Sequence, residues 1–196
     1  MAKHNAIAAV GQAVIGLLEQ NYPATLPPAA DFKLYAPTNF AAPMAYGFSL
    51  TLYRITVNTT NRNRPPRRNA AGTLVRPSLP VDLHYFLTAW ATNVTRQHQM
   101  LGWAMRFLDD RSVLPPGVLN SFDANADTFG PGEAVELVCD PLGLQDYLQI
   151  WDRLKNKMQV SLNYVARMVL LDSDLEMGDG VAVRSREFKA GQLVSS

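Results

Sequence analysis

Along this chain the spacing of apolar residues switches repeatedly between the period of about 3.6 that marks a helix and the period of two that marks a strand. Ile7, Val10, Val14, Leu17 and Leu18 recur at helical spacing and predict an amphipathic helix from Lys3 to Asn21, ended by Pro23, Pro27 and Pro28. Phe32, Leu34 and Tyr35 mark a short strand over Phe32 to Ala36. From Gly47 to Val57 the pattern alternates, Phe48, Leu50 and Leu52 against Ser49 and Thr51, and then shifts parity to Tyr53, Ile55 and Val57. Such a shift marks a bulge or a strand covered on both faces. Pro80 to Ala91 is a second strong strand. One face carries Val81, Leu83, Tyr85, Leu87 and Ala89, and the other carries Asp82, His84, Phe86, Thr88 and Trp90.

The helical period returns after Asn93 or Thr95, either of which can cap a helix running to Asp110 with Met100, Leu101, Trp103, Ala104, Phe107 and Leu108 as its stripe. Pro115-Pro116-Gly117 stops it, and the polar stretch Ser121 to Gly132 reads as a loop. A strand over Glu133 to Cys139 follows. Next come a helix over Leu142 to Lys155, its stripe Leu144, Leu148, Ile150, Trp151 and Leu154, and a long strand over Val160 to Leu171. This order predicts an α+β domain, a mixed, mainly antiparallel sheet with helices packed against it, spanning residues 1–177. Residues 178–196 are polar with scattered Val181, Val183, Phe188 and Leu193, and read as a C-terminal tail, either disordered or an arm that orders on a partner.

The two strong strands are joined by the least ordinary segment of the chain. Arg62, Arg64, Arg67 and Arg68 fall within seven residues around Pro65-Pro66, with Arg76 close behind. Adjacent prolines forbid helix and disfavour a central strand, so the segment is a stiff cationic loop on a rigid base. Its arginines either serve solubility or make bidentate contacts with carboxylates of another subunit, a role that suits Arg better than Lys. On the mixed face of Pro80 to Ala91, Phe86 and Trp90 have two readings as well, packing under a helix against Trp103 or anchoring an interface.

Composition narrows the function. A formal net charge of +1 argues against a surface adapted throughout to nucleic acid, and phosphate is a distant target because the loop has no interleaved aromatics. The one cysteine, Cys139, excludes an internal disulfide and fits a reducing compartment. Lys3, His4, Asn5, Gln12, Glu19 and Gln20 interrupt the first helix, so it is neither a signal-peptide core nor a membrane span. Asn58-Thr59-Thr60 and Asn93-Val94-Thr95 match glycosylation sequons by chance.

Candidate chemistry is sparse. Cys139 lies in an apolar strand and reads as a core thiol. A small hydrolase using His84 with Asp82 or Cys139 is the alternative to a structural role. His4, His84 and His98 lack metal-ligand spacing. Asp123-Ala124-Asn125-Ala126-Asp127 begins like a calcium loop but has Thr128 at the glycine position and Ala134 at the bidentate glutamate position. No phosphate-cradling glycine loop, nucleophile elbow or dinucleotide fingerprint is present, so no cofactor is expected.

The ordered blocks LYRITVNTTNRNRPPRR, RPSLPVDLHYFLTAWA, QMLGWAMRFLDDRSVLPP and VELVCDPLGLQDYLQIWDRLKNKMQVSLNYVARMVLLDS extend over Ala6 to Ser173. They resemble the cap, or tail-terminator, proteins of phage-tail-like contractile injection systems, the sheath and tube terminators. The resemblance implies a tail-terminator-like fold and a structural, non-enzymatic role. It further implies a homohexameric ring that ends the inner tube and holds the last layer of sheath, with tube and sheath proteins as partners and no nucleic acid or membrane. Sheath attachment in such assemblies adds a strand from an extended arm to an exposed sheet edge. Assembly would be cytoplasmic, in a particle released from the cell or held in it. No individual family residue carries over. Arg62, Arg64, Arg67 and Arg68 are therefore the partner-binding candidates on their own chemistry.

Overall fold

The computed structural model describes residues 4–26, 30–69, 71–123, 127–154 and 158–177; the predicted tail lies outside them. Helix α1 (Ala6–Gln20) leads to a short strand β1 (Asp31–Leu34), a 3-10 turn (Pro37–Ala41) and the long strand β2 (Gly47–Val57). A small hairpin, β3 (Arg67–Arg68) and β4 (Leu74–Val75), precedes β5 (Leu79–Trp90) and α2 (Val94–Asp109). Then come β6 (Val113–Leu114), α3 (Pro116–Ser121), β7 (Val135–Cys139), α4 (Leu144–Arg153) and β8 (Ser161–Leu171). The main sheet runs β1-β2-β5-β8-β7-β6. Among the described strands only β1 and β2 are parallel, so the predicted mixed, mainly antiparallel α+β sheet is what forms.

Residues paired across strands share a face, so register sorts the side chains. On the first face Phe48, Leu50, Leu83, Tyr85, Leu87, Ala89 and Ala166 meet Val10, Val14 and Leu18 of α1 and Met100, Ala104 and Leu108 of α2 in one apolar core. The predicted parity shift in β2 is a bulge, the register with β5 slipping between Leu52 and Arg54. Asn93 is the cap of α2, its side chain accepting from the Arg96 amide at 3.3 Å. Gly47 starts β2 at φ +137°, where a Cβ would lie 2.0 Å from the Asp31 carbonyl, so close β1–β2 pairing requires glycine there.

The second face holds an aromatic cluster. Phe40 of the 3-10 turn, Trp90 and Trp151 of α4 are buried together, with Tyr35 and Tyr147 against them. Phe40 meets Trp151 edge-on at 5.6 Å, and the Trp90 indole donates to Ser49 Oγ at 2.8 Å. Phe86 and Trp90 thus pack under a helix, but the partner is α4 rather than Trp103. Trp103 lies on the first face against Tyr22, Phe48 and Phe107, because α2 crosses the side of the sheet opposite α4. In α4 itself the stripe is rotated from the predicted one. Trp151 and Tyr147 face the sheet while Leu144 and Leu148 are exposed, since two large rings fill the space beside Phe86 and Phe40.

Helix α3 forms where Pro115-Pro116-Gly117 predicted only a stop, and it ends at Ser121, where the predicted loop begins. Proline is compatible with the first helical position, and Leu119 is buried against α1. The following Phe122 ring sits against Gly16, where a Cβ would come within 2.3 Å of it.

Candidate functional site

The arginine segment is held at both ends by carboxylates of the sheet. At its start the Asn58 amide donates to both oxygens of Asp82, at 3.2 and 3.1 Å, and the Asn58 side-chain oxygen accepts from the Asn61 backbone N–H at 3.1 Å. Asp82 also accepts from the Met168 backbone at 3.0 Å, where β8 bulges and Met168 takes φ +62°. At its end Arg67 enters β3. Its Nη2 lies 2.6 Å from Asp172 Oδ2, and the Asp172 side chain is fully buried. This contact is a charge pair whose N–H direction misses hydrogen-bond alignment, and among the described residues Arg67 Nε has no hydrogen-bond partner. The other Asp172 oxygen accepts from Ser78 Oγ at 2.6 Å.

Between these anchors Arg62 and Arg64 are exposed, and so is Arg68, which donates to the Gly72 carbonyl at 2.7 Å across the hairpin turn. Three of the four candidate arginines therefore face solvent. Arg67 is half-buried in an internal pair, which no local pattern announces because Asp172 is more than a hundred residues away in sequence. Arg64 also lines a shallow recess of about 200 Å³ with Phe129, Glu133, Met168 and Leu170.

A second feature is the edge of the sheet at β2. Strand β1 pairs only with Gly47 to Leu50, and Tyr35 N–H adds a bond to the Leu50 carbonyl at 2.9 Å. Beyond that, no described strand pairs with the outer edge of Thr51 to Val57. Past the bulge, Ile55 and Val57 share the first face with Leu83 and Val81, yet remain 48% and 43% exposed because α1 does not reach them. Where β1 leaves the sheet a groove of about 600 Å³ opens, lined by Ile7, Gly11, Leu34, Leu52 and Tyr85 among others. Arg54 and Thr56 lie on the opposite face, so this edge is apolar on one side and polar on the other.

The hydrolase candidates do not assemble. Register places His84 in line with Val165 and Val138, and Cys139 in line with Tyr164 and Tyr85, so His84 and Cys139 are on opposite faces of the sheet. Asp82 is engaged by Asn58 and Met168, while His84 Nε2 is hydrogen-bonded to Thr56 Oγ1 at 3.0 Å. Burial, helped by the Arg54 charge, lowers the His84 pKa and favours the neutral ring. Cys139 is exposed rather than in the core, because it ends β7 at the rim of a recess beside α2. Partial burial and the charges of Asp140 and Asp109 push its thiol pKa up, away from a nucleophile.

The residues of the calcium-like stretch that are described serve the loop itself. Thr128 is hydrogen-bonded to Asp123, and Glu133 accepts from the Gly130 amide at 2.7 Å. Among the described residues no cluster of metal-ligating side chains forms, and no helix is long and apolar enough to cross a membrane.

Comparison with known proteins bears on the whole chain. Residues 9–185 match the family described as the Pvc16 N-terminal domain. Among solved structures, the sheath/tube terminator of the extracellular contractile injection system PVC, in its extended state, has a similar fold. Its TM-score is 0.61 at 18% identity, covering 100% of this chain and 67% of that one. The tube-terminating cap of the anti-feeding prophage AFP is similar too, with a TM-score of 0.56 at 21% identity, covering 92% of this chain and 60% of that one. No curated protein matches the chain.

Proposed function

The chain belongs to the Pvc16 N-terminal domain family, and on that footing we propose that it is a structural cap which ends the inner tube of a contractile injection system and anchors its last sheath layer. The observation that carries this reading is the family match over residues 9–185, joined to a fold shared with a sheath/tube terminator across the full chain. The cap works as a homohexameric ring, assembled in the cytoplasm and carried in a phage-tail-like particle that is released or held in the cell. It has no catalytic role and binds neither nucleic acid nor cofactor.

The division of labour follows from the two surfaces. Arg62, Arg64 and Arg68 meet carboxylates on the last tube ring or a neighbouring cap subunit. Proline stiffening reduces the ordering cost of that contact. The open edge of β2 takes an extended sheath arm in the lane that β1 vacates. Its backbone bonds to Thr51–Val57, and alternate apolar side chains lie over Ile55, Val57 and the groove beside α1. Each such hydrogen bond contributes only about 0.5–1.5 kcal/mol net, but repetition around a ring makes the attachment strong through avidity.

Electron microscopy of particles assembled with and without this chain tests the reading. Irregular tube lengths, open tube ends or shed sheath in its absence are expected, whereas normal particles would reject a terminator. Replacing Arg62, Arg64 and Arg68 together with Ala should leave the fold intact and reduce capping, and undiminished capping would remove the loop from the interface.

A further inference from the structure

The arginine loop is attached to the body through several polar contacts, one of them to a fully buried carboxylate. Asp172, with a fully buried side chain just past the end of β8, draws in two other segments: Arg67 from β3 and Ser78 from the entry to β5. The chain after Asp172 then adds to the hairpin. Val75 bridges Glu176, Arg76 N–H donates to the Leu175 carbonyl at 3.0 Å, and Met177 N–H donates to the Leu74 carbonyl at 2.8 Å. β4 is thus the middle of a three-stranded patch, with β3 on one side and residues 175–177 on the other. Within the hairpin, the Asn69 side chain accepts from the Thr73 amide at 2.9 Å. At the other end of the loop, Asn58 is pinned by Asp82.

A solubilising loop requires none of this, since exposed arginines stay hydrated in any conformation. A buried carboxylate that reaches one arginine of the group has a definite geometric consequence. It fixes where the chain leaves Pro66, and so where Arg62 and Arg64 stand relative to the sheet. We infer that Asp172 and Arg67 form a latch that positions the arginine loop for docking, with Arg67 a positioning residue rather than a contact. The inference rests on the docking role proposed above for Arg62 and Arg64. It also explains why one member of an otherwise exposed group is turned inward against an aspartate.

The test must avoid leaving a lone buried charge, which would unfold the site whatever its role. The double variant R67M/D172N removes both charges, while the amide oxygen that replaces the carboxylate can still accept from Ser78. Tryptic cleavage after Arg62 reports how often the loop opens, because cleavage follows the population of the open form. The latch predicts that R67M/D172N accelerates this cleavage by at least about tenfold with the unfolding midpoint of the sheet little changed, and that it weakens capping of tubes. R67K, which keeps a cation near Asp172, should restore slow cleavage and most of the capping. Unchanged cleavage in R67M/D172N overturns the latch, and accelerated cleavage with full capping overturns its positioning role. Failure of the docking role appears separately, as full capping by the R62A/R64A variant, and leaves the cleavage result standing.

Discussion

The two ends of the central sheet are built on different principles. Around Gly47, Leu87 and Trp90 the strands are enclosed, with α1 and α2 on one face and the Phe40–Trp90–Trp151 cluster on the other. Around Val57, Asp82 and Leu171 the same strands run out from under their helices. There Ile55, Val57 and Leu79 are exposed, and order comes from carboxylates, Asp82 on Asn58 and Asp172 on Arg67. Packing is non-directional and pools stability over many contacts. A buried charge pair contributes little net stability but defines geometry. The enclosed end therefore holds the fold, and the open end fixes the course of the arginine segment.

That contrast can be broken most severely from the enclosed end. Trp90→Ala removes the ring shared by Phe40 and Tyr35 and the bond to Ser49, and should cost about 3–5 kcal/mol in urea unfolding. A loss below about 1 kcal/mol would show that the second face is not a core. At the open end, Arg67→Met alone strands the Asp172 carboxylate. The expected loss is about 1–3 kcal/mol, less than for a fully buried pair because Arg67 is 26% exposed. Ile55→Asp should change stability by no more than about 0.5 kcal/mol, since the side chain is already half in water, yet it should release sheath from the capped end. Retained sheath in that variant would move the attachment site off β2.

The smallest effect is a pH dependence. The folded His84 pKa lies below its ordinary value of 6.5, so the unfolded chain binds its proton first as pH falls. Its stabilising contribution is complete above about pH 6.5 and is lost as pH falls from there through the lowered folded pKa. His84→Asn should flatten this part of the profile of unfolding midpoint against pH. A profile unchanged by the substitution would place the titration elsewhere.

How much of this was legible varied with the kind of residue. The helix over α2, the long strands β2, β5 and β8 and the parity shift at Tyr53 were all readable, with Asn93 one of two candidate caps and a bulge one of two readings of the shift, because each is a local pattern of apolar spacing or capping chemistry. The short elements α3, β3, β4 and β6 were not. Two-residue strands and a single six-residue helical turn hold too few periods to register, and they form because larger elements bury Leu119 and Leu114 and partly bury Arg67. The four-arginine cluster was legible as a group but not as one inward and three outward side chains. Cys139 read as a core thiol from its apolar neighbours and is instead exposed, since a strand at the side of a sheet buries only the part its neighbours cover.

Local order in the chain sets the alternation of periods, and with it an α+β sheet whose first face is apolar and whose main loop is stiff and cationic. Those properties depend on residues near one another in the sequence, where sterics and side-chain spacing act directly. It took the packed molecule to establish that α4 rather than α2 covers Trp90, that Asp172 captures Arg67, that His84 and Cys139 lie on opposite faces, and that β1 stops short, with no other described strand on that edge of β2. Each of these is a choice among distant partners. Such choices are settled by which arrangement buries the most apolar surface while leaving the fewest buried charges alone, a condition on the whole fold rather than on any segment of it.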